Sequence, residues 1–161
     1  MKKTFGNMVC AAAVMTAMLF ATEACMAQNN MGGGRLAGVW DAEVSIRDCA
    51  TGAEMRKFAS IANFNKGGTY LGSTSGLPQA LRTPEHGVWA HISGNLYRFK
   101  FKVFNFAGNP TGVGYSILTH DVELDQSGDT YFSYGTVKHY AMDGTPTGQG
   151  CSDAVGTRFK L

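Results

Sequence analysis

The sequence predicts an all-β protein, namely an antiparallel up-and-down β-barrel of about eight strands that follows a signal peptide. Apolar and polar residues alternate along most of the chain, which is the two-residue period of half-buried strands. Clusters of glycine, asparagine and aspartate separate these runs at hairpin spacing. No run has a helical period. Closing the sheet into a barrel removes exposed strand edges, and a β-sandwich is the alternative.

Residues 1–27 have the layout of a secretory signal peptide. A positively charged start precedes an apolar stretch at 8–21, and small residues lead to a cleavage site after Ala27. The apolar stretch is shorter than the roughly twenty residues of a membrane-spanning helix, so we expect no stable membrane anchor. Lipoprotein processing at Cys25 is the alternative.

The remainder of the chain is expected to form one domain. Residues 28–35 are polar and glycine-rich and should be a flexible leader. Residues 36–161 fit one barrel with one core. The signal peptide predicts a periplasmic or secreted location. The formal net charge of the whole chain is only +2, which argues against binding to nucleic acids.

Each strand in the first half of the chain is predicted from its own alternation. In the first run the even-numbered residues of 40–46 are apolar and their neighbours are polar, so the even face should point inward. Turns at 49–52 and 65–68 bound the second and third runs. The segment 76–85 contains glycine and two prolines, and we expect it as a long loop at the barrel mouth.

The second half continues the pattern. Gly94-Asn95 joins the fourth and fifth runs as a tight hairpin, and the fifth run alternates aromatic with basic residues, so its aromatic face should be internal. Turns at 108–112, 125–129 and 143–148 separate the last three runs. The predicted strands cover residues 36–48, 55–64, 69–75, 86–93, 96–106, 113–124, 130–141 and 149–161.

Two cysteines follow the signal peptide, Cys49 and Cys151, and an exported protein meets oxidising conditions. Two cysteines allow one intramolecular bond and are too few for a structural zinc site without histidines, so we predict a disulfide. Facing residues of an antiparallel pair have position numbers with a constant sum. If Cys49 faces Cys151, the same register places Arg158 within two residues of the position opposite Trp40. Both pairings predict that the first strand meets the last.

Gly38-Val39-Trp40 resembles the Gly-x-Trp signature of lipocalins and their avidin-like and fatty-acid-binding relatives, the calycins. In that superfamily a basic residue near the end of the last strand packs over the tryptophan, and Arg158 stands at this place. The resemblance implies an avidin-sized calycin-like barrel with structural roles for both side chains. An inward Arg158 directs Val155 and Phe159 outward, which requires a bulge or an apolar outer strip.

Histidines are the candidates for chemistry. The sequence contains no phosphate-binding loop, nucleophile elbow or His-Glu-x-x-His segment, and we predict no metal site and no cofactor. His120 and His139 should face inward, as satisfied core residues, ligand contacts or general acid–base groups. His86 should lie at the rim. The expected ligand contacts are Tyr97, Phe99, Phe101, Tyr115, His120 and His86.

Three functions fit this pattern. The first is an exported barrel that binds a small apolar or aromatic molecule. The second is a small-barrel enzyme of the isomerase, cyclase or lyase type, which resembles allene oxide cyclase-like or dirigent-like proteins and uses His120 or His139 as general acid or base. The third is a structural or inhibitory envelope protein with a filled barrel, which contacts a protein partner through an outer strip at Val155 and Phe159. An open interior favours the first two.

Overall fold

The computed structural model describes residues 34–107 and 112–161. Eight antiparallel strands are arranged in sequence order and close into a barrel, in which β1 also pairs with β8. A short 3-10 turn, Gln79–Leu81, lies in the β3–β4 loop. The predicted up-and-down barrel is confirmed. The strands are β1 (Gly38–Arg47), β2 (Glu54–Phe64), β3 (Thr69–Thr74), β4 (Glu85–Ser93), β5 (Leu96–Phe106), β6 (Gly112–Leu124), β7 (Thr130–Tyr140) and β8 (Pro146–Arg158).

The strand ends lie within three residues of their predicted positions. The predicted signal peptide, residues 1–27, and the leader as far as residue 33 lie outside the described residues. Within residues 34–107 and 112–161, no helical segment has the length and hydropathy that a membrane crossing requires.

Aromatic side chains fill one end of the barrel, which we name the closed end. Trp40 and Phe64 are almost completely buried there. Phe64 meets the rings of Trp89, Phe99 and Tyr131 edge to face. Such pairs add to the stabilisation that burial provides. The same core cluster includes Leu36, Tyr97, Val122 and Leu124.

Arg158 covers the closed end. Its guanidinium carbon lies 4.2 Å from the ring centroid of Trp40, which is the cation–π contact that the calycin resemblance implies. The same group donates hydrogen bonds to the backbone carbonyls of Arg35, Ala37 and Gly128 over 2.6, 2.9 and 2.8 Å. Arg158 therefore links the end of β8 to the segment before β1 and to the β6–β7 turn.

The first and last strands pair without interruption from Trp40↔Arg158 to Arg47↔Cys151. This register differs by two residues from the one predicted with Cys49 directly opposite Cys151. Cys49 lies in the turn after β1, beyond the paired residues, and its Cα is 5.2 Å from that of Cys151. The two cysteines form the predicted disulfide at the end opposite Trp40, which we name the open end.

The regular β1–β8 pairing decides between the two expectations for the outer face. Because this pairing contains no bulge from residue 40 to residue 47, alternation directs Val155 outward, where it lies opposite Phe132 of β7. Val155 and Phe159 are 54% and 68% exposed. The barrel therefore has an apolar outer strip here.

Candidate functional site

A cavity of about 790 Å³ occupies the half of the barrel nearest the open end. Its wall includes small or aliphatic side chains such as Ala42, Val44, Leu118 and Val137. The disulfide residue Cys49 lines its opening. Eight-stranded barrels of this kind have room for one small ligand. The interior is thus filled at one end and open at the other.

One wall of the cavity consists of stacked aromatic rings. Phe99 and Phe101, alternate inward residues of β5, have centroids 5.9 Å apart and planes inclined by 10°. Tyr70 of β3 lies against Phe101, with centroids 5.2 Å apart and an angle of 26°. These rings line the cavity and give it an aromatic wall, which suits a ligand that contains an aromatic ring.

A buried charged cluster adjoins this wall. Glu85, the first residue of β4, accepts a hydrogen bond from the Tyr70 hydroxyl over 2.8 Å and pairs with Arg82 at 3.0 Å. All three residues line the cavity. Burial raises the pKa of Glu85, while Arg82 and the Tyr70 hydroxyl oppose this shift. Burial and the neighbouring carboxylate also raise the pKa of Tyr70.

Arg82 reaches the cluster from the β3–β4 loop. An antiparallel bridge to Asn105 holds its backbone. One terminal nitrogen of its guanidinium donates to Glu85, whereas Nε is buried and has no hydrogen-bond partner among the described residues. Few buried polar groups in proteins lack a partner, so this side chain has more hydrogen-bonding capacity than its surroundings use.

His120 faces the interior from β6, as predicted. Its Nδ1 lies 3.2 Å from Ser133 Oγ and its Nε2 lies 2.9 Å from Ser152 Oγ. Its ring packs against Phe99. Burial lowers the pKa of His120 to about 4, so the imidazole is neutral near pH 7. Each ring nitrogen has a serine partner, so His120 is a buried histidine whose hydrogen-bonding groups are satisfied.

His139 lines the cavity from β7, also in the predicted orientation. Its Nδ1 lies 2.8 Å from Ser116 Oγ, and Asn105 Nδ2 donates to the same oxygen over 3.0 Å. The cluster therefore joins β5, β6 and β7. In the part of the chain that the structure describes, no three His, Cys, Asp or Glu side chains are grouped to hold a metal ion.

Phe99, Phe101 and His120, three of the expected ligand contacts, lie in the cavity wall. Tyr97 points inward but lies in the closed end, where it packs against Trp89. Tyr97 was expected in the cavity wall. It lies instead among the packed side chains of the closed end, away from the cavity.

Tyr115 and His86 lie on the outer face of the barrel and do not line the cavity, which corrects their expected contact with the ligand. Ser116 faces inward, so its neighbour Tyr115 faces outward. There the ring of Tyr115 stacks on that of Tyr140 of β7, with centroids 5.0 Å apart. His86 is exposed on β4, because the inward side chain of Trp89 gives odd-numbered residues of this strand the inner face.

The sequence-based candidates did not include Glu85, Arg82 or Tyr70. One signal could have identified Glu85. It directly precedes the predicted fourth strand, and alternation from an inward Trp89 places Glu85 on the same inner face. A search for apolar inward residues passes over an acid. Arg82 lies in a loop, where alternation gives no orientation.

No protein-family model and no curated protein matches this chain. Among solved structures, it is similar to the crystal structure of Rv2717c from M. tuberculosis, at 11% sequence identity and a TM-score of 0.37, over 79% of this chain and 94% of that chain. A similarity this low says nothing about ligand or activity. Fold and cavity define a small closed β-barrel, consistent with a calycin-like barrel, that contains an internal cavity.

Proposed function

We propose that this protein is an exported binding protein that holds a small apolar or aromatic molecule inside its barrel. The observation that carries the proposal is the half-filled interior, in which packed aromatic rings lie below a cavity of about 790 Å³. Cavities of this size, with mainly apolar walls and a few polar groups, are the usual form of small-molecule sites. Burial of apolar ligand surface would supply most of the affinity, at about 25 cal/mol per Å².

Polar groups in the wall would orient the ligand. The clusters around Glu85, His120 and His139 each project from a different strand, and each is held by hydrogen bonds to other strands. Side chains held in this way present fixed partners to a ligand, which reduces the entropy lost on binding.

Export is part of this proposal. A Cys49–Cys151 disulfide fits an oxidising compartment, and the predicted signal peptide would deliver the chain to the periplasm or outside the cell. These two features together support the proposed location.

Catalysis by His120 receives less support than binding. His120 has serine partners at both nitrogens and a pKa near 4, so it is a poor base for a substrate in the cavity. A filled barrel, as in the third hypothesis, does not match the open half of the interior.

The test is to fill the cavity. Val44 of β1 lines it, and Val44→Phe would place a ring in the ligand's space. Val155→Phe is the matched control, because Val155 points outward on β8 next to Ala154, the residue that pairs with Val44. Equilibrium dialysis with ethylnaphthalene should give binding to the wild type and to Val155→Phe, and at least roughly tenfold weaker binding to Val44→Phe.

Two results would count against the proposal. Equal binding by all three proteins would place the probe outside the barrel. A wild-type protein that binds neither ethylnaphthalene nor an oxygen-containing analogue of the same size would not be a binding protein for small aromatic molecules.

A further inference from the structure

We propose that the ligand is an uncharged aromatic molecule with a carbonyl oxygen, and that the guanidinium of Arg82 donates the hydrogen bond that positions this oxygen. This inference rests on the proposed function, since it specifies the ligand class for the same cavity. Three observations carry it: the stacked wall, the charge balance of the cavity and the unused donors of Arg82.

The aromatic wall and the charged cluster share one residue. Tyr70 stacks on Phe101, and its hydroxyl donates to Glu85, which in turn pairs with Arg82. The aromatic wall and the Arg82–Glu85 pair therefore lie next to each other in the same cavity. This arrangement matches an aromatic molecule with a polar substituent.

The charge of the cavity wall is balanced. Arg82 and Glu85 form a 3.0 Å ion pair, and burial keeps His120 uncharged. Arg47 and Asp48 at the opening also carry opposite charges. A charged ligand would bring an unpaired charge into partly buried surroundings, where such a charge is costly. The wall therefore favours an uncharged ligand.

Arg82 supplies hydrogen-bond donors that the described residues do not use. Arg82 lines the cavity, and only one of its two terminal nitrogens donates to a described residue, namely Glu85. The donor for the ligand is therefore a terminal nitrogen, since Nε is fully buried. An arginine has donors but no acceptor, so the complementary ligand group must be an acceptor. A carbonyl oxygen is an uncharged acceptor and meets both conditions.

The experiment uses three probes with the same ring system in equilibrium dialysis: acetylnaphthalene, ethylnaphthalene and naphthoate. They supply an uncharged acceptor, no acceptor and a charged acceptor. We expect the wild type to bind the ketone roughly tenfold more tightly than the hydrocarbon, as for a hydrogen bond to a charged donor. The ketone should also bind more tightly than naphthoate.

Two variants separate charge balance from hydrogen bonding. Glu85→Gln leaves Arg82 without its counter-ion, so naphthoate should gain affinity relative to the ketone. Glu85→Gln combined with Arg82→Met restores the balance without the guanidinium, so the preference for the ketone over ethylnaphthalene should disappear. Retained binding of ethylnaphthalene shows that each variant keeps the cavity.

The outcomes distinguish this inference from the function on which it rests. If the wild type binds none of the three probes, the proposed function fails. If it binds ethylnaphthalene as tightly as the ketone, or naphthoate most tightly, the function stands and the inference is overturned. Retention of the ketone preference without Arg82 would also overturn it.

Discussion

Burial shifts two interior side chains toward their uncharged forms. It lowers the pKa of His120 to about 4 and raises the pKa of Glu85. The two residues differ in their partners, because serine hydroxyls surround the imidazole whereas Arg82 opposes protonation of the carboxylate. One polar residue is thus held uncharged by its surroundings, and the other is held in an ion pair.

We expect the titration of His120 to lower the free energy of unfolding by about 2 kcal/mol between pH 7 and pH 5. The ordinary pKa of a histidine is 6.5, and the pKa of His120 in the folded protein is about 4. Between these values the unfolded chain binds the additional proton, so this contribution is present above pH 6.5 and is lost as the pH falls toward 4. Urea denaturation at both pH values measures the change.

His120→Asn is the control for this prediction. The variant lacks the titrating imidazole but keeps the other ionisable groups, including Glu85, whose raised pKa acts in the opposite direction on acidification. The difference between the two pH profiles therefore isolates His120. Identical profiles would show that the folded protein does not hold this histidine uncharged.

For the strands, alternation identified which way a side chain points, and residue type was a poorer guide. Tyr115 was expected to contact the ligand, yet its inward neighbour Ser116 assigns it to the outer face. There Lys102 Nζ lies 3.8 Å from the centroid of its ring. Glu85 is the converse case, an acid on the inner face whose cost of burial is offset by the Tyr70 hydroxyl and by Arg82.

The predicted closing register was in error by two residues for a local reason. Arg47 is the last residue of β1 to pair with β8, and Cys49 lies in the turn beyond it. The constant-sum rule applies only within a continuous ladder, so it could not place a turn residue. Trp40 and Arg158, both within the ladder, face each other directly.

Arg158→Ala should lower the free energy of unfolding by about 2–4 kcal/mol, because it removes the contact with Trp40 and three hydrogen bonds to carbonyls. Lys160→Ala is the matched control. Lys160 is exposed and pairs with Asp129 at the surface, so its loss should cost about 0.5 kcal/mol or less. Urea denaturation compares the variants, and equal costs would contradict a structural role for Arg158.

For the whole molecule, closure could be predicted from strand count and register, but the degree of filling could not. The space inside a barrel depends on all inward side chains together. Large rings such as Trp40 and Phe64 occupy the closed end, whereas Ala42, Ser152 and Ala154 in the cavity wall leave room. The small inward residues were visible in the sequence, but their alignment around one level of the barrel depends on the register of every pair.

The disulfide should stabilise the closed barrel by about 3–5 kcal/mol, because it links residues separated by 102 positions and so restricts the unfolded chain. The double variant Cys49→Ser/Cys151→Ser should lose this amount in urea denaturation. A reductant should destabilise the wild type to a similar extent and leave the double variant unchanged. Equal stability of the oxidised protein and the variant would contradict the prediction.

The position of the disulfide also determines how the protein responds to a break in its backbone. Loops join each strand to the next, and the Cys49–Cys151 bond joins β8 to the turn that follows β1. The chain from Cys49 to Cys151 is therefore a covalent ring. A protease that cuts once within it, for example at the exposed Gly94 of the β4–β5 hairpin, leaves two fragments that remain bonded to each other until the disulfide is reduced.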